Sequence, residues 1–313
     1  MTHSRRLLVA LVALSVVVAG VVAGGSPASA AGAGPTRTAA PTSSPPGRYL
    51  LSLGDSIAFG YQSRRVSAEL ASGAYSPDHF PGYLAPLEAD ISGGARHPQR
   101  VVNYACPGET TASMITGPCA FAVGVHALGY PRALHDDYSG AQLAAGVAFL
   151  RAHRGEVSPI TLSIGANDLN NQFNACQQDV ACVQRRLPGT LTTLAANLAV
   201  TLGALRVAAP QAQIIVLTPY NPAYVITPAS DPLLTVSNRV IGAVALAGRA
   251  RVADGFRAIN LALPGRELAS VCTFTLMCSQ SDIHPSDAGY LRLADALWAA
   301  SGYARLTGHR KAA

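Results

Sequence analysis

Five short, nearly uninterrupted apolar runs recur along this chain, and longer stretches with helical spacing separate them; this alternation constrains the fold more than any other feature. RYLLSLGD, QRVVNYA, VSPITLSIG, AQIIVLTPY and RVADGF read as strands. Between them FPGYLAPLEADI, GAQLAAGVAFLRAH, TLTTLAANLAVTLGALRVAA and LLTVSNRVIGAVALAGRA carry apolar residues three and four apart, as helices do, and Pro210 stops the third of these. SDAGYLRLADALWAASGY closes the chain as a helix, with Ser286 placed to cap it and Asp287 in its first turn, near the positive end of the dipole. Strands that are apolar on both faces and alternate with helices imply a parallel sheet covered on both sides. The expected fold class is therefore α/β, a three-layer α/β/α sandwich around about five parallel strands.

The first 30 residues have a different character. Arg5 and Arg6 precede a long apolar run that ends in the small residues Ala28, Ser29 and Ala30, the layout of a secretory signal peptide cleaved near Ala30. An uncleaved membrane anchor is the competing reading, disfavoured because the run sits near the lower length limit for spanning. Residues 31–47, rich in Ala, Gly, Pro, Ser and Thr, cannot build a core and read as a disordered linker. The rest, residues 48–313, is expected to be one domain, since 49% hydrophobic and 13% charged residues suit a single large core. The formal charge of +6 is spread without a basic block, which argues against a nucleic-acid partner. The mature chain is expected to be a secreted, extracellular monomer with no stable membrane insertion.

Six cysteines in an exported chain are expected to pair. Their spacing groups them as Cys106 with Cys119, Cys176 with Cys182 and Cys272 with Cys278, three short loops whose bridges would pin local structure. A metal centre would need Cys and His clustered at ligand spacing, and the sequence has no such cluster. His126, His135, Asp136 and Asp137 fall in one stretch that could be imagined to hold calcium or zinc, but solvated loop positions are the preferred reading. No G-x-G-x-x-G follows the first strand, so a nucleotide cofactor has no support, and the G-x-S-x-G elbow is absent around Ser56.

In parallel sheets, ligands sit beyond the carboxyl ends of the strands, and it is there that this chain places its polar clusters. Gly54, Asp55 and Ser56 end the first strand; NYACPGET follows the second; GAND follows the third; SDIHPSDAGY leads into the last helix. A serine, a distant histidine, a group to orient it and hydrogen-bond donors are what acyl transfer requires. Each residue also has a plainer use. Ser56 and Asn167 could cap helices, Gly108 could permit a turn beside Pro107, and His284 could orient a loop. Asp55 is expected to fix its turn, and Asp168 to cap the helix that follows it. The apolar residues 119–130 suit an acyl pocket or the core equally well.

Together the four blocks resemble the SGNH or GDSL hydrolases: GDS with Ser56, Gly108 in NYACPGET, Asn167 in GAND, and His284 with Pro285, in the family's order and over most of residues 48–313. The resemblance implies a flavodoxin-like sheet and a cofactor-free serine ester hydrolase. In it Ser56 would be the nucleophile and His284 the base, while Ser56, Gly108 and Asn167 would supply the oxyanion donors. One departure stands out. The family commonly has an aspartate three residues before the histidine, where this chain has Ser281; Asp282, two residues before, is the candidate orienting residue, through its side chain or a main-chain carbonyl. The family's substrates run from short-chain esters to lipids, phospholipids, acetylated sugars and thioesters. A small-molecule or lipid acyl ester is therefore the expected partner, a long-chain lipid the alternative, and a non-catalytic secreted binding protein a further rival.

Overall fold

The computed structural model describes residues 44–93 and 98–308. The expected signal peptide and most of the expected linker lie outside the described residues. One boundary shifts: Gly47, placed in the linker by composition, donates its N–H to Ser158 O at 2.7 Å and accepts from Gln99 Nε2 at 2.8 Å, so the ordered domain already includes it.

Five strands, β1 (Tyr49–Gly54), β2 (Arg100–Asn103), β3 (Val157–Ser163), β4 (Ile214–Leu217) and β5 (Arg251–Ala253), form one parallel sheet in the order β2-β1-β3-β4-β5. Every residue of β1, β3 and β4 is buried, as continuous apolar runs require. Successive side chains of a strand face opposite ways, and this sorts the core into two clusters. Leu50, Ile215 and Leu217 join one cluster with Leu87 and Ile91 of helix Leu84–Gly93 and Leu293 and Leu297 of helix Asp287–Ser301. Leu51, Leu53, Ile214 and Val216 join the other with Leu143 and Leu150 of helix Gln142–Ala152 and Leu194, Leu198 and Leu202 of helix Val180–Ala208.

That last helix begins ten residues earlier than its clearest apolar repeat, running through Pro188. It is long and apolar enough to cross a membrane, but Leu187, Leu191, Leu194, Leu198, Leu202 and Leu205 form a buried stripe at three- and four-residue spacing, which is how a core helix covers a sheet. Helix Asp287–Ser301 has Ser286 as its N-cap, accepting from Gly289 N at 3.2 Å; it stops at Gly302, with φ +68°, and a short helix, Tyr303–Thr307, follows where the sequence suggests a single closing helix. All six cysteines are bonded, Cys106 to Cys119, Cys176 to Cys182 and Cys272 to Cys278.

The chain runs from β1 outward to β2 and then returns to β3 on the other side of β1. Strand order reverses at that point, so the loops after β1 and β3 diverge and leave a crevice at the carboxyl edge.

Candidate active site

Ser56 stands at that crevice. Gly54 ends β1 with φ +139°, and a Cβ there would lie 2.0 Å from Ser163 O, so glycine alone lets the strand turn this close to β3. The turn Ser56–Phe59 follows at once, capped by Asp55, whose Oδ1 accepts from Ile57 N at 3.0 Å. Asp55 thus fixes the turn. Burial pushes its carboxyl up to about 7, against the opposing effect of the Ile57 hydrogen bond. Ser56 opens the turn, so its own N–H has no acceptor within it.

His284 reaches Ser56 from 228 positions away, with Nε2 2.9 Å from Oγ. Its Nδ1 lies 2.5 Å from Asp282 Oδ1. A proton on Nδ1 donated to that carboxylate leaves Nε2 free to accept from the serine hydroxyl. It is the carboxylate, rather than a main-chain carbonyl, that faces the imidazole, and the two-residue spacing works because the backbone turns tightly. Ser281 adopts φ +54°, and His284 N donates back to Asp282 Oδ1 at 3.2 Å, a side-chain-to-backbone turn of the kind aspartate favours. Ser63 N holds the other oxygen at 2.8 Å. Burial alone would raise the Asp282 pKa; the hydrogen bonds and charge of His284, with the Ser63 N–H, outweigh it and hold the carboxyl at about 2. Three further contacts fix the segment. Tyr220 donates its hydroxyl to Ile283 O at 2.6 Å, Leu276 N donates to His284 O at 2.9 Å, and the Tyr61 ring lies 4.9 Å from the imidazole.

The other polar clusters gather on the opposite side of Ser56. Gly108 has φ +85° in the loop after β2. Cys106 N donates to Gly54 O at 3.0 Å, and Asn167 Nδ2 donates to Glu109 O at 2.9 Å, so contacts to the serine turn and to the asparagine bracket Gly108. Asn167 sits in the first turn of helix Ala166–Ala175 with its second amide hydrogen uncommitted to Glu109. Contrary to the expectation that it caps that helix, Asp168 makes no capping bond there. Its carboxylate accepts from Thr111 N at 3.0 Å and Thr111 Oγ1 at 2.5 Å, and so serves the start of the neighbouring helix Thr111–Thr116. Burial raises its pKa, although those two bonds oppose the shift.

Beside Ser56 and Asn167 opens a cavity of about 350 Å³. Its walls are largely apolar: Leu169 and Phe173 from helix Ala166–Ala175, Leu187 from helix Val180–Ala208, Ile226 and Leu234 from residues 219–237, and Ile283 beside the histidine. The Cys176–Cys182 bridge joins the first two walls. Residues 119–130 lie elsewhere. They form helix Ala120–Ala127, whose Phe121 packs against Phe59, Tyr61 and Tyr75, so the core reading of that stretch is the one realised.

Among the described residues no group of three or more His, Cys, Asp or Glu is placed to hold a metal. His126 bonds to Tyr130 O and Asp137 accepts from Ala133 N and Leu134 N, each within its own loop, while His135 bonds to Phe59 O and Asp136 accepts from Asn103 N, tying that loop to the Ser56 turn and to β2.

Two residues at the site escaped sequence reasoning. Gln142, fully buried, exchanges two hydrogen bonds with Gly54, and Glu109, 3% exposed, lies against it. A lone long amide in the small-residue stretch SGAQLAAG was the available signal, and it reads equally well as a solvent-facing helix start. Burial pushes the Glu109 carboxyl up to about 7, partly offset by the Ser113 hydroxyl.

A model of the GDSL-like lipase/acylhydrolase family matches residues 52–292. Among solved structures, a lipase from a goat rumen metagenome aligns with 17% identity and a TM-score of 0.53, over 82% of this chain and 99% of its own. An acetylxylan esterase from Geobacillus stearothermophilus aligns with 18% identity and a TM-score of 0.50, over 85% and 96%. At such identities these two share the fold. No curated protein sequence matches the chain significantly.

Proposed function

Because this chain belongs to the GDSL-like lipase/acylhydrolase family and is a carboxylic ester hydrolase, we propose that it is a secreted enzyme that cleaves acyl esters through an acyl-enzyme on Ser56. The observation that carries this reading is the contact series Ser56 Oγ, His284 Nε2, His284 Nδ1, Asp282 Oδ1, at 2.9 and 2.5 Å. Ser56 Oγ attacks the ester carbonyl as its proton passes to Nε2. The Asp282 carboxylate stabilises the imidazolium that results. Negative charge on the former carbonyl oxygen meets the N–H groups of Ser56 and Gly108 and the Asn167 amide. Collapse expels the alcohol, protonated by His284, and water activated by the same imidazole then releases the carboxylic acid and restores Ser56.

Export is supported by the three disulfides and by the signal-like composition of residues 1–30. A second reading, a lipid ester as substrate, is favoured by the apolar cavity, whose volume is in the range of ligand sites and which opens at the nucleophile. Each methylene buried there contributes about 0.8 kcal/mol, up to about fourfold in kcat/KM.

The test is a series of p-nitrophenyl esters from acetate to palmitate on wild type and Ser56→Ala, with mass spectrometry after treatment by an alkyl phosphonate. An adduct on Ser56 and loss of turnover in Ser56→Ala are expected. No adduct on an otherwise folded protein would retire the hydrolase mechanism in favour of a binding protein, and a rate that peaks at two to four carbons would remove the lipid reading.

A further inference from the structure

We propose that Gln142 and Glu109 are positioning residues that lock the three oxyanion donors into one register, an inference that rests on the ester-hydrolase reading above. β2 pairs with β1 as far as Asn103 opposite Ser52, and the chain beyond it still donates Tyr104 N to Ser52 O and Cys106 N to Gly54 O, both at 3.0 Å, whereas Gly54 N–H finds its acceptor elsewhere. Gly54, two residues further along β1, points its peptide groups to that same side, as its acceptance from Cys106 N shows. The Gly54 N–H, buried on a strand with neighbours on both sides, needs an acceptor of its own. Gln142 fills the place. Its Oε1 accepts from Gly54 N at 2.7 Å and its Nε2 donates to Gly54 O at 2.9 Å, so a side-chain amide from a helix 88 positions away supplies the acceptor a strand carbonyl would give and shares Gly54 O with Cys106 N.

The same Nε2 lies 3.4 Å from Glu109 Oε2. The other carboxyl oxygen of Glu109 accepts from Ser113 Oγ, and Ser113 in turn forms a capping box with Thr110 at the start of helix Thr111–Thr116. The main chain of Glu109 accepts the Asn167 amide. One series of hydrogen bonds, buried as far as Glu109, therefore runs from the serine turn through Gly54, Gln142 and Glu109 to the half-buried Asn167, with Gly108 adjoining Glu109. Neither Gln142 nor Glu109 belongs to the proton-transfer series of Ser56, His284 and Asp282. Their contacts set where the Ser56 turn stands relative to the loop and the amide that would receive the oxyanion, and an error of about 1 Å in such placement can cost on the order of 100-fold in rate.

The test compares Gln142→Leu, Glu109→Ala and Glu109→Gln with wild type, all checked for folding by circular dichroism. The readouts are kcat and KM on a short-chain p-nitrophenyl ester and inhibition by an alkyl boronic acid, whose tetrahedral adduct on Ser56 carries the charge of the intermediate. Gln142→Leu and Glu109→Ala should lower kcat by about 10- to 100-fold with KM nearly unchanged, and weaken the boronate by a similar factor, because the lost interaction acts only on the tetrahedral state. Glu109→Gln, which keeps the shape and hydrogen-bonding reach, should restore both to within about threefold of wild type. If Gln142→Leu does not fold, Glu109→Ala, which leaves the Gly54 contacts in place, carries the comparison. Folded variants that melt earlier yet match wild type in kcat and boronate affinity overturn the positioning role alone. A wild type that hydrolyses no ester overturns the hydrolase reading and this inference with it.

Discussion

The two sides of Ser56 are built by different physics. On one side lie the loop after β2, Gln142 and the Asn167 amide, joined by directional hydrogen bonds among buried groups: Gln142 is fully buried and Glu109 3% exposed. On the other side the cavity walls are apolar and partly open; helix Ala166–Ala175 has no fully buried residue, and Ile226 is 59% exposed. Polar groups out of water must find partners at fixed distance and angle, so that side has one workable arrangement. Apolar contact is non-directional, and side chains there can change size without loss of an obligatory partner. On the proposed reading, the geometry of the reaction belongs to the polar groups and the choice of acyl group to the apolar cavity.

The sharpest way to break this division is Asp282→Asn. An amide facing Nδ1 favours the wrong tautomer of His284, and turnover should fall by up to about 10⁴-fold for every ester, whatever its chain length. A loss under tenfold, or one that varied with acyl chain, would show that the Asp282–His284 pair does not act through proton geometry alone.

A smaller effect, on stability, should follow from Glu109. Its carboxyl is raised to about 7 in the folded protein by burial, whereas in the unfolded chain it titrates near 4.3. The folded state therefore holds the proton more tightly, and this carboxyl destabilises the protein increasingly as pH rises from about 4 to about 7. Glu109→Gln removes that dependence. Chemical denaturation at pH 4, 6 and 8 should show the variant gaining on wild type by on the order of 2–3 kcal/mol across that range. A difference that stays constant with pH would mean that the carboxyl is not held protonated by its surroundings.

The least disruptive change lies on the apolar side. Phe173→Ala should lower kcat/KM for octanoyl esters by about tenfold through lost contact and leave acetyl esters within about twofold. Equal losses for both would place the acyl chain elsewhere and dissolve the contrast.

Much of this architecture is legible along the chain, for reasons that differ by element. β1, β3 and β4 are visible because a strand covered on both faces must be apolar throughout. The polar blocks are visible because they interrupt those runs at the carboxyl edge, where the reversal between β2 and β3 opens a crevice. β2 and β5 end sooner than their runs suggest, since the buried Asn103 bonds to Ala58 O and the exposed Asp254 caps helix Gly255–Ile259. Asp282 stands out as the nearest acid to His284. Its use of the carboxylate depends on a turn at Ser281 with φ +54°, which no pattern of residue types dictates. Residues 119–130 were open between pocket and core, and packing against Phe59 and Tyr75 decides for the core.

What the sequence by itself determined is whatever depends on periodicity and on position relative to strand ends: the covered parallel sheet, its helices, the local pairing of cysteines, and the placing of serine, glycine, asparagine and histidine on one edge. Only the tertiary structure decided which way the Asp282 carboxylate turns, that Gln142 supplies the acceptor for Gly54 N, and which apolar segments enclose space next to Ser56. Periodicity is a property of neighbours in the chain. A buried amide's partner 88 positions away, or an unfilled volume between helices, exists only once the chain has closed on itself.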